Sequence, residues 1–87
     1  MLKYGYMNLA EHLRIERTKR NLSAEAFAKN CGVSRSYITL IENGKRLPSA
    51  KLLSRIAEQL GLKNHIVLNW YLEDVRSRLQ KGLDPGA

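Results

Sequence analysis

The sequence is poor in the residues that mark several large classes of protein. Its single cysteine, Cys31, excludes an intrachain disulfide and a cysteine-rich metal site, and it fits a reducing compartment. No apolar run approaches the roughly 18 residues that a membrane-spanning helix needs. Residues 1–7 lack the apolar core of a secretory signal. We therefore expect a cytoplasmic protein without membrane association.

Acidic residues are scarce relative to basic ones. The chain has 15 Lys and Arg against 8 Asp and Glu, which gives a net charge of +7. Most of the excess lies in residues 1–62, with 11 basic and 5 acidic side chains. A clustered basic excess suits a polyanionic partner, but it also promotes solubility, and charge alone does not separate the two.

No pattern typical of catalysis or of a cofactor site is present. His12 and His65 stand 53 positions apart, and neither has metal-ligand spacing with Cys31 or a carboxylate. The sequence has no glycine-rich phosphate loop and suggests no paired nucleophile and base. We expect no enzyme activity, no metal and no cofactor, and we expect Cys31 to be a small core residue rather than a redox sensor.

The 87 residues leave room for one small domain. Residues that typically begin or end helices divide the chain into segments. Capping residues and left-handed stop residues alternate along the chain. We predict an all-α chain of five helices without strands, with these approximate bounds: Asn8 (cap) to Arg20, Ala24–Asn30, Arg35–Asn43, Ser49 (cap) to Leu60, and Asn64 (cap) to Lys81.

The most informative segment is residues 22–62. Its first two short helices are joined by a tight turn at Gly32, and a basic loop at residues 43–46 follows the second of them. This layout is typical of a helix-turn-helix, in which the second helix enters the major groove of DNA.

One face of that second helix is suited to DNA recognition. Helical periodicity places it opposite the apolar Ile38 and Ile41. The residues that we predict to contact base edges are Arg35, Ser36, Thr39 and Leu40. Arginine can bond both acceptors of a guanine, hydroxyls can bond base edges or phosphate, and leucine can pack on a thymine methyl group. An ordinary solvated helix face is the alternative interpretation.

This segment resembles the lambda-repressor-like (Cro/XRE) family of DNA-binding proteins. The resemblance rests on Leu-Ser at 22–23, Gly-Val-Ser at 32–34 and Ile-Glu-Asn-Gly-Lys at 41–45, and it covers roughly half of the chain closely. It implies a compact five-helix domain that binds double-stranded DNA. The residues expected at the DNA phosphates are Ser34, Asn43, Lys45 and Arg46. The resemblance also implies a buried ion pair between Arg17 and Glu42.

Two positions depart from the family pattern. The family usually has glutamine directly after the serine that caps the second helix, and this glutamine contacts phosphate. Here that position is Ala24, so the contact is not expected. Glu16 stands where many members have an apolar residue.

The fifth predicted helix carries more apolar surface than one small core requires. Its seam residues are spaced by four, three and four positions: Leu68, Leu72, Val75 and Leu79. Such spacing is of coiled-coil type over about one and a half heptads. We expect this helix to close the core and to form a homodimer interface, and purely intramolecular packing is the alternative.

The favoured function is a transcriptional regulator that binds a pseudo-palindromic operator as a homodimer. The alternative is an antitoxin-type module that binds and masks a protein toxin and autoregulates its operon. We divide the chain into an N-terminal arm (1–7), a helix-turn-helix domain (8–62), a C-terminal helix (63–81) and a flexible tail (82–87). Either Met1 or Met7 could be the natural start.

Overall fold

A computed structural model describes residues 7–83 of the chain. Over these residues the chain forms five α-helices and no strand: α1 (Leu9–Lys19), α2 (Ala24–Cys31), α3 (Arg35–Glu42), α4 (Ala50–Leu60) and α5 (Asn64–Leu83). The predicted all-α, five-helix architecture is confirmed. Apart from Met7, the predicted N-terminal arm lies outside the described residues, as do Met1 and residues 84–87 of the predicted tail.

Four helices begin at the caps that the sequence predicts. The side chain of Asn8 accepts a hydrogen bond from the backbone N–H of Glu11, and the Glu11 carboxylate accepts one from the N–H of Asn8, at 2.9 and 3.2 Å. The hydroxyls of Ser23, Ser34 and Ser49 each accept from the N–H three residues later. These local bonds fix where α1 to α4 start.

The fifth helix departs from the prediction at both ends. Asn64 is its first helical residue rather than its cap, and the helix runs through Gly82 to Leu83, beyond the predicted end at Lys81. A glycine stops a helix when the chain beyond it turns back onto the protein. Gly82 is exposed and keeps a helical backbone, and among residues 7–83 no atom outside its own helix backbone and chain neighbours lies within 4 Å of the position of an added Cβ.

The core lies between the inner faces of the helices. Its most deeply buried side chains include Leu9, Leu13, Phe27, Ile38, Ile41, Ile56 and Val67. Cys31 is buried among them, and burial raises the pKa of its thiol to about 11. The thiol is therefore neutral at physiological pH, and Cys31 occupies the core position that the sequence predicts.

A buried ion pair joins α1 to the end of α3. Arg17 donates to the Glu42 carboxylate through Nε, at 2.6 Å, and through Nη2, at 3.0 Å. The two side chains are only 12 and 8 % exposed. Hydrogen bonding to Glu42 raises the pKa of Arg17 against the opposing effect of burial. Arg14, also on α1, donates to the backbone carbonyl of Glu42 at 2.9 Å.

Removing the acidic partner should destabilise the fold strongly. We expect Glu42→Ala to lower the free energy of unfolding by about 3–5 kcal/mol, because Arg17 would be left buried without a countercharge. Glu73→Ala is the matched control, since Glu73 lies 3.8 Å from Arg76 on the surface of α5 and both side chains are more than half exposed. It should cost under about 1 kcal/mol. Urea denaturation measures both, and equal losses would contradict the structural role of Glu42.

His12 and Trp70 connect α1 to α5 on another side of the core. Their rings are stacked, with centroids 4.5 Å apart and planes 3° from parallel. Burial lowers the pKa of His12 below its ordinary value, against the opposing charges of Glu16 and Glu11. The unfolded chain therefore takes up a proton at a higher pH than the folded one does.

This difference predicts a pH dependence of stability. The free energy of unfolding should fall as the pH drops through about 6.5, the ordinary histidine pKa, and should level off below the lowered pKa of the folded state. His12→Phe keeps a stacked ring but cannot titrate, so it should lose this dependence. Denaturation at a series of pH values above those at which carboxylates titrate measures it. Identical pH profiles for the two proteins would rule the explanation out.

Candidate nucleic-acid interface

Helix α3 presents the four predicted base-contacting residues on one exposed surface. Its inner residues Ile38 and Ile41 are buried, which fixes the orientation of the helix about its axis. On the outer surface of α3, one shallow depression is lined by Arg35, Ser36, Thr39 and Leu40. Leu40 is 40 % exposed although it is apolar. The surface therefore combines hydrogen-bonding groups with one apolar contact, which are the features that major-groove base edges require.

The turn between α2 and α3 is held by specific bonds. Gly32 adopts a left-handed backbone with φ of 76°, and a Cβ at this position would lie 3.1 Å from Nη1 of Arg55. That same Nη1 donates to the carbonyl of Cys31, which ends α2. The N–H of Val33 bonds to the carbonyl of Ala28 at 3.0 Å. These bonds set the angle at which α3 leaves the turn.

The predicted phosphate-contacting residues lie at the two ends of α3. Ser34 is at its start, where its Oγ accepts the bond from the N–H of Tyr37 and its hydroxyl proton stays free to donate. Asn43, Lys45 and Arg46 are exposed after its end, in what we call the phosphate loop, residues 43–46. The two groups thus flank the surface of α3.

Arg46 has a contact that sequence reasoning did not identify. Its guanidinium carbon lies 4.9 Å from the centroid of the Tyr37 ring, within the range of a cation–π interaction. Tyr37 is half-buried in the domain, so this contact links the exposed Arg46 to α3. Tyr37 and Arg46 are nine positions apart, one in a helix and one in a loop, and no sequence pattern indicates a contact between residues so placed.

A second contact to the phosphate loop comes from α5. Nη2 of Arg78 donates to the carbonyl of Gly44 at 3.1 Å, and Nε of the same residue donates to Oδ1 of Asp74 at 3.0 Å. Asp74 is 6 % exposed. Sequence reasoning missed both residues, because an aspartate and an arginine four apart on a helix look like an ordinary surface pair.

The predicted dimer residues lie on the outer part of α5. Leu68, Leu72 and Leu79 are 46, 51 and 62 % exposed, whereas Val75 is half-buried. The opposite side of the helix packs inward through Val67, Trp70 and Asp74. In the part of the chain that the structure describes, α5 therefore presents apolar surface that its own core does not cover.

Two further properties of residues 7–83 bear on other kinds of function. None of the helices there is both long enough and apolar enough to cross a membrane. No group of three or more His, Cys, Asp or Glu side chains in these residues is placed to hold a metal ion.

Comparison with known proteins identifies the family. Residues 13–63 match the sequence model of the helix-turn-helix family. The chain belongs to this family, in its Cro/XRE branch, whose members are DNA-binding transcriptional regulators with the lambda-repressor-like fold. The expected family and fold are confirmed.

The chain is similar to two control proteins in particular. It is 40 % identical over 55 residues to the ImmF control region 10 kDa protein of Bacillus phage phi105, covering 63 % of this chain and 61 % of the phage protein. It is 39 % identical over 61 residues to the control protein C.MunI of a Mycoplasma species, covering 70 % of this chain and 80 % of that protein.

A solved structure shows the same similarity in three dimensions. The restriction-modification controller protein C.AhdI from Aeromonas hydrophila superposes with a TM-score of 0.64 at 30 % identity, over 68 % of this chain and 89 % of C.AhdI. The similarity to control proteins therefore appears both in sequence and in fold.

Proposed function

We propose that this protein regulates transcription by binding a pseudo-palindromic operator in double-stranded DNA as a homodimer. The observation that carries the proposal is the exposed surface of α3, where four side chains suited to base contacts lie between basic and hydroxyl groups suited to phosphate. Phosphate contacts supply affinity and register, and base contacts supply specificity. Both kinds of group are present, one on the outer surface of α3 and the other at its two ends.

Each residue has a distinct part in this proposal. Arg35, at the first turn of α3, bonds guanine, and such a bidentate contact discriminates by about 1–3 kcal/mol. Ser36 and Thr39 bond base edges or nearby phosphate, and Leu40 packs against a thymine methyl group. The residues that neutralise or bond phosphate are Ser34, Asn43, Lys45 and Arg46.

The homodimer is supported by the apolar surface of α5. In this proposal residues 8–62 contact DNA, and residues 63–81 bring two copies together through Leu68, Leu72, Val75 and Leu79. A two-fold dimer of such domains binds inverted half-sites about 34–36 Å apart, one turn of the DNA helix.

The same leucines allow a second candidate function. Exposed apolar surface on a helix also suits a different protein partner, as in an antitoxin-type module that masks a toxin. Such a module could still bind its own operator for autoregulation. The two functions differ in whether the purified protein forms a homodimer by itself.

Selection of bound duplexes from a random pool, followed by sequencing, tests DNA binding and half-site symmetry together. On the selected site, Arg35→Ala should cost about 1–3 kcal/mol and relax one base position. Lys45→Ala should weaken all sequences about equally and lower the slope of log affinity against log salt by about one. Titrations over a salt series, on selected and random duplexes, measure both effects.

Lys63→Ala is the matched control for these variants. Lys63 is exposed beyond the far end of α4, which is about 16 Å long at 1.5 Å per residue and separates it from the phosphate loop. Removing its charge should leave specificity intact and change affinity little. If Arg35→Ala kept wild-type specificity, the assigned surface of α3 would be wrong.

The dimer prediction uses a charge placed in the apolar surface of α5. Leu72→Asp should convert a dimer to a monomer and reduce operator affinity far more than non-specific affinity, because only the operator needs both half-sites in register. Gln80→Asp adds the same charge at an exposed polar position and should keep the dimer. Analytical ultracentrifugation measures the oligomeric state, and footprinting measures binding to the operator.

Two results would contradict the homodimer. One is a folded wild-type monomer that protects a single half-site at the highest concentration tested. The other is a heterocomplex with one defined protein that Leu72→Asp disrupts while the wild-type protein alone stays monomeric. The second result would favour the antitoxin-type function.

A further inference from the structure

We propose that Arg78 is a positioning residue for the phosphate loop, which it holds in a DNA-binding geometry by bridging Asp74 of α5 and the carbonyl of Gly44. This inference rests on the proposed DNA binding by the loop, but its structural part concerns the protein alone. It gives α5 a role in DNA binding that is separate from dimerisation.

The loop needs an external restraint. It leaves α3 through Gly44, whose left-handed backbone (φ 73°) and missing side chain leave it freer than other residues. The N–H of Lys45 bonds back to the carbonyl of Leu40 at 2.9 Å, which restrains the loop where it begins. The carbonyl of Gly44 accepts from Arg78. This bond attaches the loop to α5.

Arg78 can act in this way because its bond to Asp74 restrains its side chain. Asp74 is buried, and its carboxylate accepts from Nε of Arg78 at 3.0 Å while Nη2 reaches Gly44. A planar guanidinium that is bonded through two of its nitrogens has little rotational freedom left. Charge-assisted bonds of this kind are stronger than bonds between neutral groups. The position of the Gly44 carbonyl is thus set by a buried group of α5.

A restraint of this kind predicts a specific binding signature. Without it the loop must be ordered when DNA binds, so affinity falls while the number of neutralised phosphates stays the same. The slope of log affinity against log salt should then be unchanged. Loss of a direct phosphate contact would instead lower the slope by about one.

Three variants separate these effects. Arg78→Ala should weaken binding to a random-sequence duplex about fivefold, corresponding to about 1 kcal/mol for one solvent-exposed charge-assisted bond, without a change in slope. Arg78→Lys keeps the charge but not the planar fork, so it should lose a similar factor. Asp74→Ala removes a negative charge and should nevertheless weaken binding, opposite to the electrostatic expectation.

Arg76→Ala is the matched control. Arg76 is on the same helix, carries the same charge and is highly exposed, with a contact of 3.8 Å to Glu73. Its loss should change affinity less than about threefold, as expected for a surface charge. Thermal melts establish that every variant is folded, which is expected for the Arg78 variants because that side chain is 45 % exposed.

Hydrogen exchange of the Lys45 amide, followed by NMR without DNA, tests the positioning directly. Exchange should be faster in Arg78→Lys and Arg78→Ala than in the wild-type protein and in Arg76→Ala. This readout is independent of the proposed function: if the wild-type protein bound no duplex, the DNA proposal would fail while faster exchange still supported the restraint.

Two outcomes would overturn the inference. Wild-type affinity and wild-type exchange in Arg78→Lys would mean that only the charge matters. A salt slope lowered by about one in Arg78→Ala, with exchange at Lys45 unchanged, would make Arg78 itself a phosphate contact.

Discussion

The ion pair between Arg17 and Glu42 is the constraint on which the candidate interface depends. A buried pair of this kind adds little net stability, since desolvation offsets most of the attraction between the charges. Its bidentate geometry instead permits one relative placement of α1 and α3. The residues of α3 turn together, so a rotation of this helix about its axis would redirect the whole surface that carries Arg35 and Leu40 relative to the rest of the domain.

At the end of α3, several basic residues bond to other parts of the protein instead of serving only as surface charges. Arg14 and Arg17 from α1 bond to Glu42, and Arg78 from α5 bonds to Gly44. Carbonyls at a helix C-terminus carry partial negative charge and lack partners within the helix, so they attract cations. These arginines connect helices to one another, and the charge of Arg17 is paired with Glu42, so the positive charge of the sequence does not all serve a polyanion. Net charge alone could not distinguish these arginines from Lys45, which the proposal assigns to DNA phosphate.

Prediction from sequence succeeded for features that depend on a few neighbouring residues. It failed for features that depend on tertiary packing. The serine caps and the turn at Gly32 depend on a few neighbouring residues, so they are legible in the sequence. The expectation of an Arg17–Glu42 pair came only from the family resemblance, because nothing local brings positions 25 residues apart together. The burial of Asp74 depends on how α5 packs, and no sequence pattern indicated it. The continuation of α5 through Gly82 contradicts the stop that the glycine predicted.

Helix α5 has two faces, and their presence on one helix has a thermodynamic consequence. Its outer face presents Leu72 and Leu79, and its inner face places Asp74 and Arg78 against the phosphate loop. A partner that docks on the leucines restrains the helix from which the loop is held, so in the proposed function docking and DNA binding share one element. Linkage then requires DNA at the loop to favour docking by the same factor by which docking favours DNA. In the proposed function, this coupling would operate within each subunit, in addition to the joining of two half-sites.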